Sequence, residues 1–205
     1  MRNRALDIVR SMTPKPSWMS AVLAAVLLVG CELPASMPDY PYDLPRADDA
    51  EVVHVELVGA ESGHIIDARL ADENAPFKIH VADILAPAKG QPWNPEAVAA
   101  LNALVKGKRA RVRFIESLRG PDGVTVVGRV YVDGRDVSWE LVGGGNAWVW
   151  QEISNDQALM DLQEWARRRG RGLWALPESD REPPWEFMDK QIRLLMEQRE
   201  ESPPN

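Results

Sequence analysis

The chain of 205 residues contains one cysteine, and that scarcity closes off several chemistries at once. A lone sulfhydryl makes no internal disulfide, no CxxC redox pair and no thiolate cage for zinc or an iron–sulfur cluster. Histidine is nearly as scarce, with three in all: His54, His64 and His80. Phenylalanine and tyrosine number three each, so the aromatic content rests on eight tryptophans. Positive charge is not in excess either. Lys and Arg total 24 against 31 Asp and Glu, a net charge of −7. A chain of that sign is not steered as a whole toward polyphosphate. Nor does it hold an apolar run long enough for a bilayer-spanning helix, since the longest, Ser17 to Gly30, falls short of the roughly 20 residues a span requires.

That run has another use. Arg2, Arg4, Arg10 and Lys15 precede it, and Leu28-Val29-Gly30-Cys31 follows, which looks like a bacterial lipobox. Residues 1–30 are therefore expected to be a lipoprotein signal peptide. In signals of that kind cleavage falls before the cysteine, whose sulfur then carries an acylated glycerol, with palmitate among its acyl chains. The alternative is an ordinary secretory signal with an incidental cysteine. With Cys31 acylated, the protein is lipid-anchored in the cell envelope on the exported side, attached to a membrane without crossing it. Removing residues 1–30 takes away four cations and one acid, Asp7, leaving 20 basic and 30 acidic residues, or −10. Residues 31–51 carry Pro34, Pro38, Pro41 and Pro45 among Asp39, Asp43, Asp48 and Asp49. Such a stretch has too little apolar surface to fold and reads as a tether.

Residues 52–185 read as the folded domain. Val52–Val58 alternates with period two, and His64–Leu70 and Phe77–Leu85 continue as strands, the first pair joined through Ser62-Gly63. Asn94-Pro95-Glu96 signals a helix start, with Asn94 as cap and Pro95 first inside, running to Val105 and stopping at Gly107. Arg109–Ile115 and Val124–Val132 are strands joined across Gly120-Pro121-Asp122-Gly123, a strong turn signal. Helices follow over 137–142 and 156–169. Residues 186–205 add an amphipathic helix and tail, with Met188, Ile192, Leu195 and Met196 at helical spacing. That face either docks on the domain or meets a partner.

Six pieces, in order, resemble the staphylococcal-nuclease-like (thermonuclease) domain family. They are Phe77-Lys-Ile-His-Val-Ala-Asp-Ile-Leu-Ala-Pro87, Gln91 to Ala97, Gly128 to Val137, Glu140-Leu-Val142 with Ala147-Trp-Val149, the arginine-rich run Ala166 to Trp174, and Pro183 to Phe187. The resemblance implies an α+β, mainly β fold: an OB-like five-stranded barrel with about three packed helices. It also implies a site, which this chain departs from. Active members hold calcium with two aspartates, activate water with a glutamate and neutralise phosphate with two arginines. The matching positions here are His64 and Leu85 for the aspartates, Ala88 for the glutamate, and His80 and Thr125 for the arginines. Imidazole and isobutyl groups do not replace carboxylate oxygens on calcium. Without a positioned base, roughly 10²–10⁴-fold in rate is lost. Together the departures imply that no catalytic residue remains.

Other clusters carry weaker signals. His64 and His80, with Glu61, Asp67 or Asp83 as a third ligand, are candidate metal ligands, although two polar residues facing an idle cleft would read the same. Arg109, Arg111 and Arg113 share one strand face and are candidate phosphate contacts, against the plainer reading of a solvated face. Arg167, Arg168, Arg169 and Arg171 close the last domain helix in the same two senses. Trp139, Trp148, Trp150, Trp165, Trp174 and Trp185 suggest base stacking, but packing of helices onto the barrel is the better reading. Trp93 is expected to be the exposed one nearest the old site.

The expectation is a lipoprotein whose degenerate nuclease-like domain serves as a binding or scaffold module, without cofactor, anchored to the membrane through Cys31 and meeting an envelope protein partner. Two alternatives stand beside it. One is an active metal-dependent phosphodiesterase rebuilt around His64, His80 and Asp83, using calcium. The other is a module binding nucleic acid or anionic lipid.

Overall fold

The computed structural model describes residues 52–70, 76–120 and 123–200. The expected signal peptide of 1–30, Cys31 and the expected tether of 31–51 lie outside the described residues, as do Pro121 and Asp122 of the hairpin turn.

Period-two burial builds a barrel. Val53, Val55 and Leu57 of β1 (Val53–Ala60) point inward, as do Ile66, Ala68 and Leu70 of β2 (Ile65–Leu70) and Phe77, Ile79 and Val81 of β3 (Pro76–Val81). Ala110 and Val112 of β5 (Arg109–Gly120) and Val126 and Val130 of β6 (Gly123–Val132) complete the inner face. The strands run in the order β3-β2-β1-β5-β6, and a parallel pairing of Lys78–Val81 with Thr125–Gly128 joins the two ends. This is the OB-like five-stranded barrel expected from the sequence. Ala97, Leu101 and Val105 of α1 (Asn94–Val105) seal it from one side.

Two aspartates place the next helices. Asp136, at the end of the short β7 (Arg135–Asp136), accepts from Ser138 N at 2.8 Å and caps α2 (Val137–Gly143). Asp156 accepts from Leu159 N at 3.1 Å and caps α3 (Gln157–Arg168). Each satisfies a helix-terminal N–H that would otherwise lack a partner. The tryptophans weld these helices down: Trp139, Trp165 and Trp174 are buried, and Trp148 lies edge-on between Trp174 at 4.4 Å and Trp185 at 6.1 Å. Arg169 and Arg171 lie over the Trp165 ring at 4.6 and 5.2 Å, and Arg167 over Trp174 at 5.8 Å, so much of the basic run is stacked on aromatic faces. The C-terminal helix α4 (Pro184–Glu200) does not dock through the face anticipated for it. Its start docks through Trp185, while Met188, Ile192, Leu195 and Met196 stay exposed.

Three local expectations need correcting. The third strand does not run through to Leu85. The chain turns at Asp83, whose backbone is left-handed (φ 68°), and the two-residue β4 (Ile84–Leu85) leaves the barrel to pair with β8 (Trp148–Val149). Aspartate tolerates that conformation better than most residues, and its side chain is drawn sideways to Arg129. Asn94 does not cap α1: its Nδ2 donates to Pro87 O at 2.6 Å, and Trp93 takes the cap position with φ 67°. Trp93 itself is half-buried, its indole N–H donating to Asn146 at 3.0 Å.

Candidate functional site

Four of the five family positions, His64, His80, Leu85 and Ala88, lie around the place where the β1–β2 turn meets the β3–β4 corner. Gly63 lies so close to β4 and α1 that a Cβ there would sit 2.5 Å from the Ala86 methyl and 3.1 Å from that of Ala97. This approach presses His64 onto the corner. Val81 N donates to His64 O at 2.9 Å, and Ala86 N donates to His64 Nδ1 at 3.3 Å. The second bond assigns a tautomer, since a nitrogen that accepts carries no proton. His80, on the outer face of β3, meets His64 edge-on with ring centroids 4.7 Å apart. The two histidines are neighbours, as their registers suggested.

Burial, and secondarily the neighbouring His80 ring, lowers the His64 pKa to about 3. Burial also lowers that of His80, against a hydrogen bond at Val81 that pulls the other way. Both rings are therefore neutral at physiological pH. No third His, Cys, Asp or Glu joins them in a metal-holding group among the described residues. Glu61 is paired with Lys78, Asp67 lies opposite Lys78 in the β2–β3 register, and Asp83 is held by Arg129.

Leu85 and Ala88 complete the inventory. Leu85 is 4% exposed and fixed in the β4–β8 ladder opposite Trp148. Ala88 donates its N–H to Gln91 Oε1 at 2.7 Å, and Gln91 Nε2 donates to Glu182 O at 2.8 Å. The segment leading into α4 thus braces the loop in which active relatives keep their glutamate. Calcium requires about six to eight oxygen ligands, mostly carboxylate. An imidazole, an isobutyl group and a methyl group at its family positions do not fit that ion.

Thr125 stands apart from this corner but joins His80 in a cleft of about 400 Å³ on the outer barrel surface, also lined by Ala82, Asp83, Ile84, Ile115, Glu116, Val127, Trp150 and Ile153. Local geometry explains the membership. In β5 the register slips between Phe114, opposite Gly128, and Glu116, opposite Val127, so Ile115 is an extra residue in a β-bulge. From the other side, Trp150 N donates to Asp83 O at 2.9 Å, and the turn that follows carries Ile153 over the cleft. Ile115 and Ile153 are 59% and 55% exposed. Sequence reasoning missed Ile115, Glu116, Val127 and Ile153, because nothing local marks them, and it took Trp150 for a packing residue rather than part of the cleft. The signal available was the weld of Trp148 and Val149 to β4, which forces the next residue toward Asp83.

Behind the cleft lies the most polar knot in the described structure. Arg129, almost buried, donates through Nε and Nη2 to Asp83 at 3.0 and 2.7 Å, through Nη2 to Asp156 at 2.7 Å and through Nη1 to Asp136 at 3.4 Å. Burial opposes the guanidinium's charge, but the surrounding carboxylates, Asp136 foremost, raise its pKa above the ordinary value. Burial also opposes charge on Asp156, yet hydrogen bonds from Arg129 and the α3 terminus hold its pKa down. Burial pushes Asp136, wholly enclosed, up to about 6. One cation faces three acids, so the wall is net negative.

The arginine face of β5 lies elsewhere. Arg109, Arg111 and Arg113 do alternate with buried Ala110 and Val112, as expected, but none of the three lines the cleft. Arg109 sits opposite Glu56 in the β1–β5 register, 4.0 Å from its carboxylate.

Comparison with known proteins agrees with the architecture. The family described as staphylococcal nuclease homologue matches residues 67–176. An uncharacterised endonuclease of Escherichia coli is 31% identical over 134 residues, covering 65% of this chain and 83% of the relative. An uncharacterised endonuclease of Haemophilus influenzae is 31% identical over 107 residues, 52% of this chain and 58% of its own. A staphylococcal-like nuclease of Arabidopsis thaliana is 30% identical over 112 residues, 54% of this chain and 33% of its own.

Proposed function

This chain belongs to the staphylococcal nuclease homologue family, and from that premise we propose that it is a non-hydrolytic member, a lipid-anchored binding or scaffold module of the bacterial cell envelope. The observation that carries this reading is the fate of the charged groups around the old site. The five family positions hold His64, His80, Leu85, Ala88 and Thr125, and Asp83, the carboxylate at the corner, is committed to Arg129. Hydrolysis of a phosphodiester needs a base for water and cations for the phosphate, and the second is usually the larger electrostatic contribution. Neither group is supplied at the family positions, where no side chain is a carboxylate or a cation. In this reading the protein uses no cofactor, nucleic acid is not its ligand, and its partner is a component of the envelope.

Two experiments test it. Full-length protein, purified in detergent, is incubated with DNA and with RNA in the presence of calcium, and no cleavage above buffer is expected. Robust cleavage that disappears in His64→Ala or His80→Ala would replace this reading with that of a nuclease rebuilt around the histidine pair. For the anchor, Cys31→Ala should leave an unprocessed precursor that takes up no labelled fatty acid. Equal labelling of variant and parent would remove the membrane attachment from the proposal.

A further inference from the structure

The cleft beside the histidine pair has a chemical character of its own. Its floor and walls are hydrocarbon from Ala82, Ile84, Val127, Ile115 and Ile153, with the Trp150 ring at one side. Its charged lining residues are Asp83 and Glu116, and no lysine or arginine lines it. Asp83 is neutralised only in part, because it shares Arg129 with Asp136 and Asp156. Glu116 has no ion-pair partner among the described residues, and the bulge at Ile115 places it beside Val127 on the outer face. A phosphodiester entering this space would lose its hydration against two carboxylates. An apolar body carrying a positive charge would meet hydrocarbon, an aromatic ring and net negative charge together.

We propose that this cleft binds a small organic ammonium compound, an apolar or aromatic body bearing a quaternary or protonated amine, with the body against Ile115, Val127 and Ile153 and the cation between Trp150 and Glu116. The volume of about 400 Å³ is at the lower end of the range for small-molecule pockets, which suits one compact ligand. His80, neutral, and Thr125 supply hydrogen bonds for orientation without adding charge. The proposal rests on the reading of the domain as a binding module and names the ligand class for it.

The test uses full-length protein and three probes of similar shape: benzyltrimethylammonium, uncharged neopentylbenzene and benzenesulfonate, with a dinucleotide as a fourth. Saturation-transfer NMR and titration calorimetry measure binding. The ammonium probe is expected to bind saturably, at least threefold tighter than the neutral one, with no saturable binding of the sulfonate or the dinucleotide. Glu116→Gln should erase most of the charge preference, and Val127→Trp should fill the cleft and abolish binding. Ile153→Arg changes an exposed residue and so spares the fold; it should weaken the ammonium probe tenfold or more. Binding of the sulfonate or dinucleotide as tightly as the ammonium overturns the proposal, as does ammonium binding that survives both Val127→Trp and Ile153→Arg. Absence of any ammonium binding in a preparation that also cleaves no DNA sinks the ligand assignment alone. Cleavage of DNA sinks the non-hydrolytic reading instead.

Discussion

Gly145 and Gly172 cross backbone to backbone, with Gly145 O accepting from Leu173 N at 2.8 Å and both residues at positive φ. A Cβ on Gly145 would stand 2.0 Å from Arg171 O, and one on Gly172 would stand 2.2 Å from Gly145 O. The crossing ties the loop after α2 to the short 3-10 helix Gly172–Ala175 that carries Trp174.

Gly145→Ala should therefore destabilise the domain by about 3 kcal/mol or more, since left-handed strain of about 1–3 kcal/mol adds to a clash that only backbone movement relieves. Gly134→Ala is the control, with positive φ but nothing within 4 Å of the new methyl, and it should cost about 1 kcal/mol. Chemical denaturation midpoints decide. Equal losses in the two variants would show that the crossing has room to open.

Arg129→Met removes the single cation of the buried knot and leaves Asp83, Asp136 and Asp156 facing one another. Breaking a buried pair from one side costs about 3–5 kcal/mol. The loss should be smaller at acid pH, where the carboxylates protonate, than at neutral pH. A change below about 1 kcal/mol, or one independent of pH, would mean that water already screens the knot.

His64 should make the fold acid-sensitive. Unfolded, its imidazole takes up a proton near the ordinary value of 6.5; folded, burial and the His80 ring hold that event down to about 3. The stability this represents is present above the unfolded value and is lost as pH falls from 6.5 toward 3. Between pH 7 and 5 the change is about 2 kcal/mol. His80 acts in the same direction, whereas Asp136, pushed up to about 6 by burial, acts in the opposite one below that pH. His64→Asn keeps an acceptor for Ala86 N–H and removes the titration. Its unfolding midpoint should vary less between pH 7 and 5 than the parent's, with the other groups common to both. Parallel curves would refute the assignment.

Neutralising Arg109, Arg111 and Arg113 together should leave polynucleotide affinity unchanged, because none of them lines the cleft and the chain carries a net charge of −7. A working phosphate face would instead lose a log–log salt slope of about 0.9 per contact on duplex DNA. A tenfold fall in affinity with a shallower slope would show that this face binds phosphate.

The barrel was legible in the sequence because alternation along β1, β2, β3, β5 and β6 is a local record of which face is buried. Asp136 and Asp156 are legible as helix starts for the same reason, since a cap acts on residues two or three positions ahead. The break at Asp83 was not, because its cause is Arg129, 46 positions away along the chain. The bulge at Ile115 exists only relative to Gly128 and Val127 on another strand, so period two along β5 conceals it. Trp93, expected to stand free, is held by Asn146, 53 positions distant. The residues of the family site could be named from their motif, but the neutrality of the histidine pair depends on the corner folding over it.

Pairing of β3 with β6 closes the ring of five strands, and the one long stretch laddered on a single side is the far half of β5, Arg113 to Gly120, which pairs with β6 but not with β1. Outside that ring, among the described residues, only two-residue strands remain: β4, β7 and β8. In the lipid-anchored protein proposed above, copies would share a plane, where an open strand would meet its like far more often than in bulk solution. The closed ring confines such a row of N–H and C=O groups to β5 beyond Val112, where the bulge at Ile115 interrupts it, and a bulge on an edge hinders growth into a sheet. Everywhere else on the barrel, a partner that recognises it must do so through side chains rather than by adding a strand.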